Sequence, residues 1–94
     1  MICKYKLVPT KKFTRSVRKS FKDQNCKSKL SSVLKRMSDD PFGQGLKTHK
    51  VNLPNLGIMY STRVTGDIRI IWNFDKANNL VLILYKVGGH DDDY

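Results

Sequence analysis

The sequence contains no glutamate. All 8 of its acidic residues are aspartate, set against 18 lysines and arginines, so the 94-residue chain carries a formal charge of +10. It has only two cysteines, Cys3 and Cys26. A small secreted domain stapled by disulfides usually carries four or more, so this usage points to a reduced, cytoplasmic chain. No apolar run approaches the roughly 20 residues that a membrane-spanning helix needs, which argues against a membrane partner. The opening stretch, MICKYKLVPTKK, places charge inside its short apolar segment, unlike a signal peptide. Catalytic and cofactor motifs are also missing: there is no G-x-S-x-G, P-loop, GxGxxG or CxxC. Gly88-Gly89 precedes no predicted helix, so the anion site of a helix N-terminus is absent there. No cofactor is expected.

The length allows one domain over residues 1–94. A domain this short buries about 60 to 70% of its unfolded surface, enough for a modest core but not for a deep substrate cavity. Disorder is excluded, because hydrophobic residues make up 39% of the chain and fall in periodic blocks. Charge is distributed unevenly. Residues 1–50 hold 14 Lys and Arg against 3 Asp, a net of +11; residues 51–94 hold 4 against 5, a net of −1. So basic a first half suggests a polyanionic partner, nucleic acid or a strongly acidic protein.

The periodicity predicts a strand from Ile2 to Val8, ended by Pro9, with Thr10 capping a helix. Phe13, Val17 and Phe21 recur every four residues and form its apolar stripe. Lys11, Lys12, Arg15, Arg18, Lys19 and Lys22 surround that stripe. A second helix begins near Asn25 and buries Leu30, Val33, Leu34 and Met37, until Asp39-Asp40-Pro41 stops it. So brief a connection predicts a helical hairpin. Residues 41–57 read as loop. The period then changes to two. Ile58 to Val64 forms a strand, Thr65-Gly66 a turn, Ile68 to Phe74 a strand, Asp75 to Asn79 a turn, and Leu80 to Val87 a nearly continuous apolar strand suited to the centre of a sheet. Short turns make these three strands antiparallel neighbours. The expected fold class is α+β, in the order β-α-α-β-β-β: a helical hairpin packed on a mainly antiparallel four-stranded sheet.

If helices cover one sheet face, function belongs to the other. Strand alternation sends Arg63 and Arg69 there, although alternation alone does not say whether they are side by side. His49 lies in the polar loop LKTHK and His90 in VGGHDDDY. Cleavage of RNA through its 2′-hydroxyl needs one group to accept a proton and another to donate one, and histidine titrates near neutrality. The two arginines can balance charge developing on a phosphate. Tyr94 can stack on a base, as can Trp72, though alternation puts Trp72 on the core face. Asp91, Asp92 and Asp93 invite a metal reading, but consecutive residues of an extended tail point in alternating directions. They are better read as a solvated tail that favours the protonated form of His90, suiting it to act as a general acid. No metal site is expected.

The segments LKTHKVNLPNLGIMYSTRVTGDIRIIWNFD and LVLILYKVGGHDDDY resemble the RelE/ParE superfamily of toxins from toxin–antitoxin modules, in particular its RelE-like branch with the YafQ-type ribonucleases. The specific part is the last third, GD-x-R-I-I-W followed by VGGH-x-x-x-Y. The resemblance implies a metal-independent endoribonuclease that cleaves mRNA on the ribosome, with a cognate antitoxin, the ribosome and mRNA as partners. By position it implies that His49 is the loop histidine, His90 the C-terminal histidine, Tyr94 the aromatic that follows it, and Asp67 the acid on the catalytic strand. Arg63 stands where the YafQ pattern has a second histidine, and Arg69 where RelE proper carries arginine. The basic residues Lys11, Lys12, Arg15, Arg18, Lys19, Lys22, Lys47 and Lys50 would meet ribosomal RNA. Two other readings remain: a ParE-like inhibitor of DNA gyrase without nuclease activity, and a degraded toxin that binds only antitoxin or RNA.

Overall fold

The computed structural model describes residues 4–20, 24–54 and 56–89. Along them run β1 (Lys6–Pro9), α1 (Lys11–Ser20), α2 (Gln24–Asp39), β2 (His49–Leu53), β3 (Gly57–Arg63), β4 (Ile68–Phe74) and β5 (Val81–Gly89). The strands form one five-stranded sheet in the order β1-β5-β4-β3-β2. Three of its pairings are antiparallel, and β1 pairs parallel with β5.

The α+β class and the antiparallel run of β3, β4 and β5 agree with the sequence. The strand count does not. Residues expected in the 41–57 loop form the edge strand β2, pairing His49 with Ser61 and Leu53 with Gly57. Its period-two signal is His49, Val51 and Leu53 against Lys50 and Asn52. That signal is short, charged and cut off by Pro54, a weak pattern that pairing with β3 overrides.

Phe13 from α1 and Leu30, Val33 and Met37 from α2 pack on one sheet face against Ile70, Trp72, Leu82, Leu84 and Val87. Fully burying a side chain of this size contributes roughly 1.5 to 3 kcal/mol. The polar ends of the helices are tied just as closely. Thr10 accepts a hydrogen bond at Oγ1 from the Phe13 amide at 3.1 Å, as a helix N-cap does, and donates from the same hydroxyl to the Leu84 carbonyl at 2.9 Å. At the other end of α2, Asp40 accepts the Phe42 amide at Oδ1, 3.0 Å away, and Pro41 prevents further helix.

Beyond Leu84, β5 has no β1 partner. Ser16 of α1 takes over: the Val87 amide donates to Ser16 Oγ at 3.0 Å, while that hydroxyl donates to the Phe13 carbonyl at 2.8 Å. Ser16→Ala therefore orphans a backbone N–H on a fully buried residue. A loss of about 1 to 3 kcal/mol is expected, measured by urea denaturation. An unchanged midpoint would mean that Val87 finds another acceptor.

The second sheet face is not wholly polar. Leu53, Met59 and Ile71 form a small cluster there, with Val51, Leu56 and Tyr85 packed around it. The strands shift register between Ile71 and Trp72: Ile71 pairs with Lys86 and Trp72 with Leu84, a β-bulge at Tyr85. Alternation from Leu84 already places Tyr85 on this face, and the bulge sets Lys86 on the same face and returns Val87 to the core. The apolar cluster covers one end of the face and leaves the other end to charge.

Candidate phosphate-binding site

The charged end is built by two strand pairings. Arg63, last residue of β3, lies directly opposite Arg69 of β4. Ser61, two residues earlier on the same face, lies between His49 of β2 and Ile71 of β4. Lys47, His49, Ser61, Arg63 and Arg69 together line a cleft of about 180 Å³. The structure thus settles what alternation left open: the two arginines are cross-strand partners.

Several features of this cleft are unfavourable for an empty protein. Like charges directly opposite each other in a sheet destabilise the pair. Lys47 is the one non-glycine residue with positive φ among those described, at 52°, a backbone state that costs a residue with a side chain about 1 to 3 kcal/mol. Ser61 is 1% exposed, and its Oγ has no hydrogen-bond partner. Such features gather where a site is built for a ligand.

The loop that carries Lys47 and leads into His49 of β2 is held from the core. Trp72 Nε1 donates to Thr62 Oγ1 at 2.8 Å, Thr62 lies 2.7 Å from Thr48 Oγ1, and Thr48 donates to the Pro41 carbonyl at 2.6 Å. Because Thr48 has already given its only proton to Pro41, Thr62 donates to Thr48. Nearby, the Arg63 amide donates to the Leu46 carbonyl at 2.9 Å. Two anchors therefore flank Lys47. The Arg63 guanidinium is held by its own turn, with Nε donating to the Thr65 carbonyl at 3.2 Å. His49 Nδ1 is 3.1 Å from the Lys47 carbonyl. A carbonyl only accepts, so this bond puts the proton on Nδ1 and leaves Nε2 of the neutral ring free to accept one.

The other expected residues are placed differently. Asp67 is exposed in the turn between β3 and β4, where its amide meets Thr65 Oγ1 at 3.3 Å, and it does not line the cleft. Lys47, expected among the RNA contacts, joins the site itself. Lys50 pairs with Tyr60 and so falls on the opposite sheet face from His49. Lys11, Lys12, Arg15, Arg18 and Lys19 are all exposed on α1. Lys22, His90, Asp91, Asp92, Asp93 and Tyr94 lie outside the described residues. Trp72 is fully buried, which removes it as a stacking platform. Ser61 is the residue that sequence reasoning missed; its signal was its place between Met59 and Arg63 in the period-two pattern. Among the described residues no three His, Cys, Asp or Glu come together as a metal site, and no helix is long and apolar enough to cross a membrane.

Two helices packed on one face of a β1-β5-β4-β3-β2 sheet give this chain a RelE-like fold. Among solved structures, a chain of the archaeal RelE–RelB complex from Pyrococcus horikoshii matches with a TM-score of 0.71 and 13% identity, over 94% of this chain and 97% of that one. The YoeB/ParE toxin from Agrobacterium tumefaciens matches with a TM-score of 0.70 and 17% identity, over 90% and 98%. A chain of the DinJ–YafQ complex from E. coli matches at 0.59 and 19% identity, over 92% and 93%. No protein-family model and no curated protein matches the chain. At these identities the likeness is one of fold.

Proposed function

We propose that this protein is the toxin of a type II toxin–antitoxin module, an endoribonuclease that cleaves mRNA on the ribosome without a metal ion. The observation that carries the proposal is the Arg63–Arg69 pair, with Lys47 and His49 beside it on the sheet face the helices leave free. Two arginines opposite each other on neighbouring strands and lining one cleft gain most from an anion that bridges them. The same positive charge disfavours a divalent cation, which supports metal-free chemistry.

In the proposed reaction His49 Nε2 takes the proton of a 2′-hydroxyl, and that oxygen attacks the adjacent phosphorus. Arg63 and Arg69 balance the charge that gathers on the non-bridging oxygens. His90 protonates the departing 5′-oxygen, and Tyr94 holds a neighbouring base by stacking. The products are a 2′,3′-cyclic phosphate and a 5′-hydroxyl. Asp67, exposed at the β3–β4 turn and outside the cleft, has no part in this reaction. The exposed cations of α1 meet ribosomal RNA. An acidic, amphipathic antitoxin segment neutralises the basic surface; the P. horikoshii and E. coli neighbours are seen in complexes with RelB and DinJ.

The test is 5′-end mapping of mRNA on programmed ribosomes, together with analysis of the ends left on a minimal RNA in EDTA. Cyclic phosphate ends formed without divalent ions are expected. A strict need for Mg²⁺ or Mn²⁺ in the chemical step, 3′-hydroxyl ends, and loss of activity on Asp91→Ala or Asp92→Ala would overturn the histidine mechanism. Inhibition of gyrase supercoiling without any RNA cleavage would favour the gyrase-inhibitor reading instead.

A further inference from the structure

We propose that Ser61 is a phosphate-binding residue of the cleft, its hydroxyl donating a hydrogen bond to a non-bridging oxygen of the group held between Arg63 and Arg69. The inference rests on reading the cleft as a phosphodiester site, and it adds a residue that neither the resemblance nor the sequence pattern supplies.

Three observations support it. The first is Ser61 itself. It is 1% exposed, and its Oγ is the one buried side-chain nitrogen or oxygen among the described residues with no partner. Buried polar atoms are nearly always bonded, and alanine at this position would remove the penalty without loss of volume elsewhere. A hydroxyl kept there needs a partner that arrives from outside.

The second is direction. Ser61 shares a strand face with Arg63 and lies directly opposite His49, so its side chain is on the cleft side of β3. It is paired on both flanks, to His49 and to Ile71. A doubly paired strand fixes the backbone that carries this donor.

The third is the character of the lining. Lys47, Arg63 and Arg69 are cationic and His49 is a titratable ring; none offers an anionic oxygen. The cleft's volume of about 180 Å³ falls below the roughly 300 to 1,000 Å³ typical of small-molecule pockets. It suits a single phosphate group of a longer chain, with the rest of the polymer lying outside. A neutral hydroxyl supplies a further hydrogen bond to that group without adding charge to an already repulsive arginine pair.

The experiment uses the full chain, with inorganic phosphate and a 2′-deoxy dinucleotide as ligands, since neither is cleaved by 2′-hydroxyl attack. Binding is followed by NMR titration, and melting temperature is recorded without ligand. Ser61→Ala is expected to weaken both ligands about tenfold, as loss of a hydrogen bond to a charged group does. Without ligand it should melt at the same temperature as the parent or higher. Unchanged affinity would overturn the proposal. So would a lowered melting temperature, because that marks Ser61 as part of the fold's own bonding. The outcomes also separate the two readings. A parent protein that cleaves no RNA but binds phosphate through Ser61 leaves this inference standing and removes the nuclease. A protein that cleaves RNA equally well with Ser61→Ala, and binds phosphate equally well, does the reverse.

Discussion

Arg69→Ala is expected to lower mRNA cleavage by about 10²- to 10³-fold and to end growth arrest, while leaving the protein as stable as before or more so. Removing one preorganised donor to a developing oxyanion typically costs that much in rate. The stability half of the expectation comes from the register. Arg69 faces Arg63 directly, and deleting either one relieves repulsion between like charges. His90→Ala is expected to cost about 10²- to 10⁴-fold, as the loss of a general acid does. Tyr94→Ala should lose nearly as much, because an unstacked substrate is poorly aligned for in-line attack. Tyr94→Phe separates stacking from proton transfer by losing little in the first case. Single-turnover cleavage on programmed ribosomes, read beside thermal melts, checks the set. Full activity in a folded Arg69→Ala variant would dismiss the arginine clamp.

The second large effect belongs to the opposite side of the molecule. Lys11, Lys12, Arg15, Arg18 and Lys19 are all exposed on α1, away from the buried Phe13. Replacing them in groups should leave the fold intact and weaken ribosome association steeply. Each lost phosphate contact is expected to reduce the salt slope of binding by about one unit. A protein making six to ten such contacts loses about 10³- to 10⁵-fold in affinity between 50 and 200 mM salt. Co-sedimentation across a salt series measures both numbers. Normal binding by a folded variant without these charges would rule the surface out.

The helices and the three long strands were legible because each buries a stripe whose period matches its geometry. Phe13 with Val17, and Leu30, Val33 and Met37, could serve no sheet; Ile68 to Phe74 and the run from Leu80 could serve no amphipathic helix. The strand β2 was not legible, because His49 to Leu53 is mostly exposed and becomes a strand only by pairing with β3. The arginines could be assigned to a face but not to each other, since their pairing depends on the register across the Thr65-Gly66 turn. The bulge that returns Val87 to the core and the backbone angle of Lys47 depend on contacts from other elements, so neighbouring sequence carries no trace of them. Ser61 was hidden for a related reason: a serine in a strand is ordinary until its partners are counted.

The parallel pairing of β1 with β5 also sets the timing of the molecule's own assembly. The Thr10 hydroxyl waits for a carbonyl 74 positions later, and Ser16 for an amide 71 positions later. Contacts so distant along the chain close late and slow folding. During synthesis every other described element emerges before β5, yet β5 is the strand that joins β1 and α1 to β4. A nascent chain that has already exposed Arg63, Arg69 and the cations of α1 still lacks the strand that seats them. If the ribosome is its target, the chain cannot attack one until β5 has left the ribosome that is making it.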